Sequence, residues 1–159
     1  MNEVSQRIAP AAIRKTIDVT APVDKAFAVF ASRMGDWWHK EHSLAQGKVQ
    51  TGVIIEPFAG GRWYETADDG SEENWGKVIA YEPPHRLVLA WQLTREFVYD
   101  PDFETTVEVR FEETADGTRV HFEHRDLERM GADAVQTFEE MDGGWGMLLD
   151  LFKNEAERS

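Results

Sequence analysis

The chain has 159 residues, 42% of them hydrophobic, which is enough for one domain with a substantial core and short for two. Seventeen basic against 30 acidic residues give a formal charge of −13, a long-range field unfavourable to nucleic acid and to anionic membrane as general partners. The absence of cysteine excludes disulfides, thiol nucleophiles and thiolate metal centres.

No run approaches the roughly 20 apolar residues needed to cross a membrane, and the opening MNEVSQRIAPAAIRK has no apolar signal-peptide core. A cytoplasmic location is expected. Residues 1–12 read as a flexible N-terminal segment and residues 13–157 as a single domain.

From Ile13 to Val19 apolar residues alternate with polar ones, a strand with one buried face on which Lys15 is the exception. Pro22 suits a helix start, and Val23, Ala26, Phe27 and Phe30 recur at helical spacing. DWWHKEH follows, then strand-like segments divided by turn signals. VQTGVII is expected to put Val49, Val53 and Ile55 on one face; GRWYETA and ENWGKVIAY flank the acidic DDGS turn. In HRLVLAWQL, Leu87, Leu89, Trp91 and Leu93 share a parity, while TREFVYDPDF, with Pro101, reads as a loop that allows short strand character. Val107, Val109 and Phe111 share a face in the next segment, and Asp116-Gly117 turns into TRVHFEHRD with Val120 and Phe122 inward. That parity turns His124 inward and His121 outward.

A final helical region is expected from Gly131, with Trp145, Leu148, Leu149 and Phe152 at i, i+3, i+4 and i+7. Gly143, Gly144 and Gly146 weaken its propensity and point to a bend or a close approach. The apolar faces must cover one another. The fold class is therefore α+β: a curved antiparallel sheet of six or seven strands wrapped around a long C-terminal helix, with a shorter N-terminal helical region closing one end.

The order strand, PVDKAFAVF helix, WW, PFAGGRWYE, DGSEENWGKVIAYEPPHRLVLAW and a tryptophan-bearing last helix resembles the START-like, Bet v 1-like helix-grip superfamily. More narrowly, it resembles bacterial SRPBCC proteins related to the C-terminal domain of the activator of Hsp90 ATPase. The resemblance spans roughly residues 13 to 155 and implies a hollow between sheet and final helix, often suited to lipophilic ligands.

Trp37, Trp38, Trp91, Phe111, His124, Trp145 and Leu149 are the candidate lining of such a hollow. The same residues could instead fill a solid core, since burying each large apolar side chain contributes about 1.5–3 kcal/mol. His39, Glu41 and His42 lack the HExxH spacing and a third ligand, so they read as surface or rim residues, and no metal or other cofactor is implied. Arg62 and Arg110 could balance acidic neighbours or orient an anionic ligand, and Glu104, Glu108 and Glu112 fit a hydrated outer sheet face. Gly60-Gly61 lacks a P-loop continuation, and Ser71 has no histidine and carboxylate beside it. No catalytic residue is assigned.

The expected function is non-catalytic binding of a small, largely apolar or aromatic ligand. Two alternatives stand beside it: a regulatory protein-interaction domain acting on Hsp90 or another chaperone, which the resemblance implies, and a cyclase, dehydratase or hydrolase using polar cavity groups. Association as a homodimer is expected to bury exposed aromatic surface.

Overall fold

A computed structural model describes residues 12–44, 47–131 and 134–158. The segment expected to be flexible, save Ala12, lies outside the described residues. Strand β1 (Ile13–Val19) leads into α1 (Val23–Ser32) and the short α2 (Met34–Trp37). Strands β2 (Gln50–Ile55), β3 (Arg62–Ala67), β4 (Glu72–Glu82), β5 (Arg86–Trp91), β6 (Thr105–Thr114) and β7 (Gly117–Arg125) follow. A 3-10 turn over Leu127–Met130 and the long α3 (Ala134–Ala156) complete the chain. Gly131, with φ of 100°, closes the 3-10 turn, so the final helix begins after the position expected.

The seven strands form one antiparallel sheet in the order β1-β7-β6-β5-β4-β3-β2. Only β1 leaves chain order, crossing to pair with β7, where Ile13 faces His124 and Val19 faces Thr118. The sheet curves around α3, with α1 and α2 on the same side, giving the expected α+β helix-grip arrangement. Its concave face carries Val107, Val109, Phe111, Val120 and Phe122, all buried. Phe27, Phe30 and Phe152 close over that face, with Phe30 midway between Phe111 at 6.0 Å and Phe152 at 5.2 Å between ring centroids. Lys15, the polar residue on the inner face of β1, reaches Asp142 of α3 at 3.3 Å.

Of the bulges in the sheet, those at Thr51 and Trp75 alter the expected parity. In β2, Gln50 opposes Ala67 and Gly52 opposes Thr66, leaving Thr51 as an extra residue. Gln50 therefore turns inward with Val53 and Ile55, whereas Val49 is 58% exposed, a correction to the shared face expected for it. In β4, Trp63 opposes Gly76 and Tyr64 opposes Asn74, so Trp75 is the extra residue. Trp75 and Gly76 are consequently both buried, although a regular strand would turn them to opposite faces. A Cβ on Gly76 would lie 1.8 Å from the carbonyl oxygen of Ala90, so only glycine fits there.

The outer face is a ladder of ion pairs. Glu108 accepts from Arg86 and Arg125, each at 2.8 Å, and His121 lies 2.9 Å from Glu112. Arg62 is held by Glu72 and Asn74 and lies 3.9 Å above the ring of Tyr64. Among the described residues no helix is long and apolar enough to cross a membrane.

Candidate ligand-binding site

Helix α3 divides its apolar surface between two tasks. Thr137, Glu140, Met141, Gly144, Trp145 and Leu148 recur at steps of three and four and face a cavity of about 620 Å³. Farther along, Leu149, Phe152 and Ala156 turn into the packed core against α1 and the sheet. The cavity's other walls come from the loop after α2 (Trp38 to Leu44), from Glu73 and Trp75 of β4, from Trp91 of β5, and from residues 93 and 95–99 beyond it.

Four tryptophans, Trp38, Trp75, Trp91 and Trp145, form a continuous aromatic wall. Ring centroids lie 4.8 Å apart for Trp38 and Trp75, 5.9 Å for Trp38 and Trp145, and 5.8 Å for Trp91 and Trp145. Each indole N–H is occupied within the protein. Trp38 donates to the carbonyl of His42 at 2.8 Å, Trp75 to Glu65 at 2.8 Å, Trp91 to the carbonyl of Leu93 at 3.1 Å, and Trp145 to Nδ1 of His124 at 3.1 Å. The wall therefore offers a ligand ring carbons and no free donor. The polar side chains of its border are Glu41, His42, Ser43, Glu73, Arg95, Glu96, Tyr99, Thr137 and Glu140. Loss of surrounding water, then the neighbouring His39, hold His42 below the ordinary histidine value, so it is largely uncharged near neutral pH.

Two buried polar groups brace this wall from behind. Glu65 of β3 is fully buried and accepts from Trp75 Nε1 at 2.8 Å, the Leu44 backbone N–H at 2.7 Å, Gln50 Nε2 at 3.3 Å, and the Ser43 hydroxyl. It ties the loop after α2 to the tryptophan beside it. His124 is also fully buried, between β7 and α3. Because Trp145 can only donate, Nδ1 of His124 accepts and its proton sits on Nε2, which donates to Thr105 Oγ1 at 2.8 Å. Thr105 in turn lies 3.5 Å from the carbonyl of Trp91. Burial pushes the His124 pKa down to about 3, so the ring is neutral.

The residues expected to line a hollow divide accordingly. Trp38, Trp91 and Trp145 border the cavity. Trp37 packs against Phe30 and Phe152 at 5.2 and 5.6 Å, Phe111 lies against Phe27 at 5.2 Å, Leu149 is buried in the core, and His124 stands behind Trp145. Glu41 and His42 reach the cavity edge, and no group of three or more His, Asp or Glu suited to a metal ion occurs among the described residues. Met141 and Gly144 were legible in principle, lying four residues and one residue before Trp145 on the same helix face. Trp75 was hidden by its bulge, and Glu65 by partners 10 to 22 residues away in the chain.

A family model described as activator of Hsp90 ATPase homolog 1-like protein matches residues 20–157. Among solved structures, the chain is 37% identical to the anthrahydroquino-gamma-pyrone synthase Txn09 complexed with SUM, covering 94% of this chain and 99% of that one with a TM-score of 0.64. Protein MLL2253 from Mesorhizobium loti shares 18% identity over 90% of this chain and 94% of its own, with a TM-score of 0.66. Protein CV1439 from Chromobacterium violaceum shares 16% over 94% and 100%, with a TM-score of 0.65. The last two likenesses are of fold alone. No curated protein matches. With the family model spanning all three α-helices and all strands but β1, the chain belongs to the activator of Hsp90 ATPase homolog 1-like protein family.

Proposed function

We propose that the chain binds a small, largely apolar ligand with a flat aromatic framework in the tryptophan-walled cavity. The observation that carries this reading is the wall itself: about 620 Å³ bordered by four indoles whose N–H groups are all engaged elsewhere. Such a surface gains free energy by stacking and by releasing water, while the polar groups of the border orient the ligand. Gly144 supplies the test, because it lines the cavity and a Cβ there meets nothing within 4 Å. Gly144→Ala is expected to keep binding of 1,8-dihydroxyanthraquinone, followed by tryptophan quenching, whereas Gly144→Phe fills the space and abolishes it in a protein that still unfolds cooperatively. Wild-type affinity in folded Gly144→Phe would remove the cavity as the site.

The second reading is an enzyme acting on such a ligand, and it is supported by the 37% identity to an anthrahydroquino-gamma-pyrone synthase. Largely uncharged His42, at the cavity edge beside Ser43 and Glu41, is the group best placed to take up a proton. Turnover of that synthase's substrate, falling by about 100-fold or more in His42→Ala, would favour catalysis; binding without turnover would favour carriage or storage.

A further inference from the structure

Leu93 and Tyr99 pair across a tight hairpin between β5 and β6. The Phe97 N–H donates to the carbonyl of Thr94 at 2.7 Å, and the Thr94 N–H donates to the carbonyl of Val98 at 2.9 Å. That is a turn closed by one residue in the left-handed region, a place where glycine or asparagine is at ease. Here the residue is Phe97, with φ of 60°. A bulky side chain in this conformation is an outlier that the surrounding structure must hold in place.

The Phe97 side chain is 51% exposed, its neighbour Val98 is 59% exposed, and among the described residues no other aromatic ring packs on Phe97. Both residues nonetheless border the cavity, as do Leu93 and Tyr99 on the same hairpin and Met141 and Trp145 on α3. The hairpin thus places an uncovered ring at the border of an aromatic site, at a position whose backbone would favour a residue without one.

We propose that Phe97 is a specificity-determining contact of the cavity, covering the exposed side of a flat aromatic ligand whose other side lies on the tryptophan wall. This rests on the ligand-binding reading above. Burial of the exposed part of the ring by the ligand supplies further apolar contact. It also selects for ligands extended enough to reach from the indoles to the hairpin.

Phe97→Asn and Phe97→Tyr separate this role from a structural one. Asparagine accepts the left-handed backbone and lacks the ring, so its melting temperature is expected to equal or exceed that of the wild type. Its affinity for 1,8-dihydroxyanthraquinone is expected to fall about tenfold, corresponding to about 1.4 kcal/mol, while Phe97→Tyr retains it. Equal binding by wild type and Phe97→Asn would overturn the proposal and leave the cavity reading standing. A melting temperature lowered by more than about 4 °C in Phe97→Asn would make Phe97 a structural anchor instead, again overturning it. If the wild type itself does not bind the probe and Gly144→Phe changes nothing, the cavity reading fails and this inference with it.

Discussion

Acidification from pH 7 to 5.5 is expected to destabilise the protein through His124 by about 1.3 kcal/mol, and a variant lacking this one histidine isolates that loss. The imidazole is fully buried; its ring and hydrogen-bond partners are Trp91, Thr105 and Trp145, none of them charged. A proton added at Nδ1 would confront the Trp145 N–H, leaving two donors 3.1 Å apart around a fully buried ring. The folded pKa is accordingly depressed to about 3 by burial, against an ordinary value of 6.5. The sign follows from which state takes the proton. Below pH 6.5 the unfolded chain is protonated while the folded one is not, so stability is fully present above 6.5 and is lost as pH falls toward about 3. One group so placed loses about 1.4 kcal/mol per pH unit once well below the unfolded value, which over this interval gives about 1.3 kcal/mol. Working above pH 5.5 keeps the protein clear of its isoelectric point, about 4.7. Urea unfolding of wild type and His124→Gln at pH 7, 6.5, 6 and 5.5 supplies the measurement. The variant should be less stable at pH 7 by about 1–3 kcal/mol for its disrupted hydrogen bonds, and the gap should narrow steadily on acidification. Parallel curves across the whole interval would refute the assignment of a neutral, unprotonatable His124.

Other outcomes follow from particular contacts. Glu65→Leu removes the acceptor shared by two buried donors, from Gln50 and Trp75, and by two half-buried ones, from Ser43 and Leu44; at about 1–3 kcal/mol for each buried donor, a loss of about 2–6 kcal/mol is expected, with Glu65→Gln milder, and circular dichroism melts rank the two. Gly76→Ala forces a Cβ to 1.8 Å from the Ala90 carbonyl; expression should yield little folded protein, and a melt within about 4 °C of wild type would contradict the bulge geometry. Leu149→Ala, in the core and off the cavity, should cost about 2–5 kcal/mol in denaturant titrations without changing anthraquinone affinity in the fraction that remains folded.

Much of the architecture was already legible in local pattern. The two-residue alternation of β1, β5, β6 and β7 placed Val107, Val109 and Phe111, then Val120, Phe122 and His124, on one face, and the structure buries all six. The three-and-four spacing of Trp145, Leu148, Leu149 and Phe152 likewise marked the apolar surface of α3. Such periods are properties of the backbone itself, so any chain that buries one face must display them. The site was less legible, because its decisive features depend on contacts between distant segments. Bulges at Thr51 and Trp75 arise from strand pairing and reverse parity without a local signal, exposing Val49 and burying Trp75 beside Gly76. One helical stripe reads continuously in sequence, yet Leu148 faces a cavity and Leu149 a packed core, because the loop after α2 and the hairpin beyond β5 stand off from α3 at one end while α1 closes on it at the other. His124 could be assigned an inward direction from its parity. Its neutral state required Trp145 from 21 residues away and Thr105 from 19, since a buried group's charge is set by the partners and water that the tertiary fold brings to it or takes away.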